Sequence, residues 1–325
     1  MSVGAAEVLP APGERSELLE VIPDIAGRSP FQLFWRRLRR DRVAMASLAF
    51  IVFLIVLAFA APLVIKLLGL PGPNVQNLNL TDSFGSPLGP SAAHPFGVDQ
   101  LGEDVMSRVI YGTRVSLAVG IIGTGISTLI GVTIGLLAGF FRGWTDTLLM
   151  RMTDVVLSIP ILLLGLGIGA ACSVHGCISG LIQPGLQTII FLIALATWPF
   201  MARIVRGLVL SLREREFVEA ARALGASNTR IMFREILPNI AAPVLVYASL
   251  QIPVNILIEA ALSFLGVGIR PPTASWGQMV SSATPIFTTA WWYMVFPGAA
   301  LLLTVLAFNL LGDGLRDALN PRSAR

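Results

Sequence analysis

Residues 43–65 carry no charged side chain, and arginines 36, 37, 39, 40 and 42 stand immediately before them. A helix crossing the hydrocarbon core of a bilayer needs about 20 such apolar residues. A basic block beside the first span keeps that end in the cytoplasm, and Phe34 and Trp35 suit the interfacial belt. The chain therefore reads as a membrane protein from its first apolar segment onward. The composition agrees. Charged residues make up 13% of the chain and hydrophobic ones 54%, with a mean hydropathy of +0.76. A soluble domain carries roughly 25% charged residues.

Residues 1–28 are polar and contain Pro10, Pro12 and Pro23, so they read as a flexible tail. No signal peptide is expected there, because the first apolar run begins late and is too long for an h-region. Residues 66–111 are rich in Pro, Gly, Asn and Asp and belong outside. Further spans are expected at 115–141, 148–171, 186–202, 240–266 and 291–311. Six spans place both termini in the cytoplasm. The division is 1–42 for the tail and its basic end, and 43–112 for the first span and the outer segment. A transmembrane domain at 113–312 and a cytosolic tail at 313–325 complete it.

The arginines test this order. Lys66, Arg108, Arg270 and Arg114 fall on the far side. Arg142, Arg151, Arg203, Arg206, Arg213, Arg215, Arg222, Arg230, Arg234, Arg316, Arg322 and Arg325 fall inside. That asymmetry supports the orientation. It also accounts for the net charge of +4 without a nucleic-acid partner, since no basic patch interleaved with aromatics is present. Gly131, Gly135 and Gly139 are spaced for close helix approach, and Gly165, Gly167 and Gly169 extend the small-residue pattern.

The longest inner segment, 212–238, has a different character. Glu214, Glu216, Glu219, Ala220, Ala221 and Leu224 favour a helix. Gly225 is placed to end it, Ser227 or Asn228 to cap a second, and Pro238 to stop that second helix. Phe217, Ala220, Ala221 and Leu224 fall on one stripe, so the first helix is expected to dock on a partner.

At this point the sequence resembles the permease subunits of ATP-binding cassette importers. Their shared loop has Glu-Ala-Ala, three residues, Gly, nine residues and an Ile-x-Leu-Pro end. Glu219, Ala220, Ala221, Gly225, Leu237 and Pro238 match that spacing, while Glu235 stands where the pattern has an aliphatic residue and Ile236 follows one place later. The segments His94-Pro-Phe-Gly-Val-Asp-Gln-Leu-Gly-Glu-Asp104, Ser107-Arg-Val-Ile-Tyr-Gly-Thr-Arg-Val-Ser-Leu117, Ile258-Glu-Ala-Ala-Leu-Ser-Phe-Leu-Gly266, Ser275-Trp-Gly277 and 308–321 resemble the C-type subunit of dipeptide, oligopeptide and nickel permeases. The resemblance implies an all-α, six-helix protein of the type I importer permease fold, multi-pass in the cytoplasmic (inner) membrane. It also implies a B-type second permease, two ATPase subunits, an extracytoplasmic solute-binding protein and a di- or oligopeptide cargo, with nickel or another small solute as the alternative. Membrane lipid surrounds such a chain. In that family the loop is the coupling helix of the ATPase.

The residues agree on one point independently. Lys66 is the sole lysine and lies outside, so no Gly-x-x-x-x-Gly-Lys-Ser/Thr phosphate loop exists. No cofactor is expected in this chain, and ATP and Mg belong to partners. Neither His-Glu-x-x-His nor Gly-x-Ser-x-Gly occurs, so no enzyme is expected.

Other candidate sites remain. Glu259 lies within the fifth span, where an ionisable side chain faces a pore or ties helices together. Asp154 is expected to pair locally with Arg151. Cys172 and Cys177 flank an outer loop and suit a disulfide, with two free thiols or a metal site including His175 as alternatives.

Overall fold

The computed structural model describes residues 30–82, 86–172, 176–178 and 180–319. The expected tail at 1–28, the chain end with Arg322 and Arg325, and His175 lie outside the described residues. All the regular elements among the described residues are helical. In order they are α1 (Pro30–Arg40), α2 (Arg42–Leu67), α3 (Val105–Phe141), α4 (Gly143–Ser158), α5 (Ile161–Ala171), α6 (Leu186–Leu212), α7 (Glu216–Ala223), α8 (Leu237–Phe264), α9 (Trp276–Ala283) and α10 (Trp291–Leu319). By length and composition, α2, α3, α6, α8 with its lead-in from Asn228, and α10 can each cross a membrane. The bent pair α4 and α5 meets the same measure only when taken together, as a broken span or a re-entrant loop, so the described residues hold five or six crossings.

That pair departs from the sequence expectation of one straight span at 148–171. The two helices meet at 82°. Pro160 disfavours helical backbone in the residue before it, and Ile159 is accordingly extended, with φ −93° and ψ 121°. α3 is also longer than expected. It starts at Val105, where Asp104 caps it by accepting from the Ser107 amide at 2.7 Å. At 1.5 Å per residue its 37 residues reach roughly 55 Å, well beyond a hydrocarbon core of roughly 30 Å. α2 begins where the Asp41 carboxylate accepts from the amides of Val43 and Ala44, at 2.9 and 3.0 Å.

The bundle closes where α3 and α6 touch. A Cβ on Gly131 would lie 2.6 Å from Met201 Cβ. One on Gly135 would lie 2.5 Å from the Ala202 carbonyl oxygen, and one on Gly139 2.8 Å from Val209 Cβ. No larger residue fits this seam. Ile51 and Leu54 of α2, Ile256 of α8 and Ala307 and Phe308 of α10 pack around Leu117 of α3.

The outer segment is fixed to the bundle rather than hanging from it. The Trp292 indole nitrogen donates to the Val98 carbonyl at 3.0 Å, and its ring fills the space that a side chain on Gly97 would need. Phe96 stacks on Phe296 at 3.9 Å. Arg108, assigned from the sequence to an outer loop, is buried at the start of α3. It pairs with Glu103, approaches Asp99 at 3.7 Å and donates to the Pro73 carbonyl at 3.0 Å. Burial pushes the Glu103 carboxyl above its ordinary range, with Arg108 opposing.

Candidate functional site: the loop between α6 and α8

The loop between α6 and α8 is built on one buried residue. Val218 is 0% exposed and sits with Ile231, Met232 and Ile236 against Leu136 and Phe140 of α3 and Val205 and Val209 of α6. Its amphipathic spacing puts the neighbours on the opposite face. Phe217 is 39% and Leu224 88% exposed. Glu219 and Ala220 are exposed as well. The expected stripe of Phe217, Ala220, Ala221 and Leu224 is therefore split. Ala221 is half-buried and packs toward the core, because it follows Val218 by three residues and shares its face.

α7 ends in a full Schellman motif. The Ala226 amide donates to the Ala221 carbonyl and the Gly225 amide to the Arg222 carbonyl, each at 3.0 Å. Gly225 has φ +78°, the left-handed conformation this motif requires. Ser227 caps the next turn, its hydroxyl accepting from the Arg230 amide at 3.4 Å.

Beyond that cap the chain does not stop at Pro238. It runs Asn228–Arg230, then through a π-helical stretch, Ile231–Ile236, straight into α8. Proline in a regular helix leaves the carbonyl four residues back without a donor. The π stretch changes the pairing: Leu237 donates to the Met232 carbonyl, and Asn239 Nδ2 donates to the Glu235 carbonyl at 2.6 Å. The helix thus continues through Pro238 along α8. Leu237 is half-buried and Pro238 exposed.

Ion pairs fasten the loop and its neighbour α4 to the bundle. Glu214 pairs with Arg142, which ends α3. Arg213 Nη1 donates to the Phe140 carbonyl at 2.5 Å. Arg206 holds Asp146 of α4 through both carboxylate oxygens, at 2.5 and 2.6 Å. Asp154 pairs with Arg203 of α6 at 2.6 Å, not with Arg151 as expected, because α6 rather than its own helix faces it. Sequence reasoning missed these partners, since they lie about fifty or more residues apart.

Glu259 is fully buried between α3 and α8. It accepts from the hydroxyls of Ser263 at 2.8 Å and Ser116 at 3.2 Å, and Ser275, the cap of α9, also interacts with it. Ser263 in turn accepts from the Ile269 amide at 3.0 Å. This carboxylate therefore ties α3, α8 and α9 together, and no cation pairs with it among the described residues. Cys172 and Cys177 are joined by a disulfide. No cluster of metal ligands occurs among the described residues.

Residues 131–325, more than half the chain, match the family model described as binding-protein-dependent transport system inner membrane component. The chain belongs to that family. The permease also matches, over residues 29–83, the N-terminal transmembrane domain of oligopeptide transport permease C. It is 40% identical over 304 residues to the glutathione transport system permease protein GsiD of Pectobacterium atrosepticum, covering 94% of this chain and 95% of the relative. It is 39% identical to the dipeptide transport system permease protein DppC of Alkalihalophilus pseudofirmus, covering 90% of each. Its fold is similar to a chain of the inward-facing MetNI methionine ABC transporter. That match has a TM-score of 0.55 and 21% identity, and covers 66% of the permease and 97% of that chain. The permease is a multi-pass inner-membrane transport protein.

Proposed function

We propose that this permease forms half of the translocation path of an ATP-driven importer for di- or oligopeptides, with both termini in the cytoplasm. A B-type permease supplies the other half, two ATPase subunits bind ATP and Mg below, and a solute-binding protein delivers the cargo from outside. Glu219, Ala220, Gly225, Leu224 and Phe217 present or shape the face that meets the ATPase. Ala221, Leu237 and Pro238 hold that face in register from behind.

The observation that carries this reading is the split of α7. One side is seated through Val218, while Phe217 and Leu224 project from the bundle with no partner among the described residues. Large apolar side chains left exposed together mark a surface that another protein covers. The peptide cargo rests on the names of GsiD and DppC, whose substrates are glutathione and dipeptides.

Co-expression with the neighbouring transport genes tests the assembly. The permease is expected to co-purify with a second permease and two ATPases, and uptake of labelled dipeptide should require all of them. Transport by the purified chain alone would refute the reading. Uptake of a nickel chelate but not of dipeptide would move the cargo to the alternative solute.

A further inference from the structure

α1 is not used by the coupling reading, and it carries four arginines, Arg36, Arg37, Arg39 and Arg40, with no acidic residue. Leu38 is buried and Phe34 and Trp35 are half-buried against Leu315 and Ala318 at the end of α10. With its apolar side seated, the helix turns Arg36, Arg39 and Arg40 outward, and Arg42 follows at the start of α2. The Arg39 guanidinium lies over the Trp35 ring at 5.0 Å. Arg37 is already engaged within the chain.

The acids in the adjoining sequence are fewer than the arginines. Asp41 is occupied in capping α2 through Val43 and Ala44. Asp313 and Asp317 at the end of α10 stand beside Arg316, and Asp317 is itself engaged. The apolar span begins at Val43, within one turn of Arg40. The exposed guanidiniums therefore stand at headgroup depth. A guanidinium fork matches phosphate oxygens two at a time, and a basic cluster beside a span is attracted to an anionic leaflet.

We propose that α1 and the start of α2 form a binding site for the phosphate headgroups of anionic phospholipid in the cytoplasmic leaflet. The proposal rests on the cytoplasmic placement of the N-terminus given above. Lipid would seat on Arg36, Arg39, Arg40 and Arg42, with Trp35 holding Arg39 in place from beneath.

The test uses the full-length chain in nanodiscs of phosphatidylcholine with and without phosphatidylglycerol. Phosphatidylglycerol retained after mild detergent extraction is counted by native mass spectrometry. Wild type should retain it in preference to phosphatidylcholine. Replacing Arg36, Arg39 and Arg40 together by Gln should weaken that preference roughly 100-fold, at several-fold per arginine. The same charge removed at Arg215, Arg222 and Arg230 should leave it unchanged. Equal loss from both variants, or loss from neither, would overturn the site. If the α1 variant instead sheds ATPase subunits in lipid-free detergent, the patch belongs to a protein contact and the lipid proposal fails. Labelling of a cysteine at Gln32 by an impermeant reagent in intact cells would overturn the orientation, separately from headgroup binding.

Discussion

Ile231 and Ile236 lie five residues apart, and both are fully buried in the same cluster beneath α7. In an α-helix five residues advance about 140° past a full turn, so one of the pair would face away. The π stretch between them closes its hydrogen bonds over five residues, which brings Ile236 over Ile231 and turns Glu235 out of the cluster. The aliphatic residue that the Ile-x-Leu-Pro pattern puts at 235 is thereby supplied to the cluster by Ile236, one place later.

Deleting Glu235 should convert the π stretch into ordinary α-helix with both flanks in place. The deleted chain is expected to insert and to run as a monodisperse species at near wild-type level. Deleting exposed Leu245 in regular α8 rotates everything beyond it by about 100° and should abolish expression. Fluorescence-detected size exclusion of tagged chains reads both, and equal loss from the two deletions would contradict the account.

Gly225 and Glu219 should matter for coupling rather than folding. At φ +78° a valine is strained by about 1–2 kcal/mol, small against the bundle but enough to misplace α7. Gly225→Val and Glu219→Arg are expected to leave membrane levels nearly intact, weaken ATPase pull-down and abolish uptake. Normal binding and uptake in both variants would remove the loop from coupling.

The α3–α6 seam should be intolerant of bulk. Gly135→Leu places its side chain against the Ala202 carbonyl and Val205, while Gly125→Leu meets open space. Overpacking of this kind costs about 1–3 kcal/mol or more. A fall in thermal midpoint in detergent for the first and none for the second is the expected pair of results.

Orientation is checked with single cysteines at Ser86 and Ser227, after replacing Cys172 and Cys177. An impermeant thiol reagent added to intact cells should label Ser86→Cys and spare Ser227→Cys. The reverse pattern would invert the topology.

The spans were legible because lipid imposes a simple rule: apolar length and arginine asymmetry suffice. The end of α7 was legible because Gly225 carries a backbone requirement that survives outside its context, whereas Pro238 does not end the second helix as expected. The break at Pro160 was harder, since membrane helices often continue through proline when neighbours satisfy the freed carbonyl. Whether they do depends on packing. Pro238 shows the opposite outcome, because the π stretch carries the helix past it. The partners of Asp146 and Asp154 were invisible, because Arg206 and Arg203 reach them only once α6 lies alongside α4.

α4 is held to the bundle with little burial. Thr153 is its one buried residue among those described, and its attachment to α6 runs through Asp146–Arg206 and Asp154–Arg203. The exposed pair Asp154–Arg203 contributes about 0–1 kcal/mol, while Asp146–Arg206 is half-buried and held through both carboxylate oxygens. In mechanical terms the bundle combines a rigid keel with a latch: the glycine seam fixes α3 against α6, while two charged pairs clip α4 to α6. Rising salt weakens the exposed pair of that latch and leaves the keel untouched.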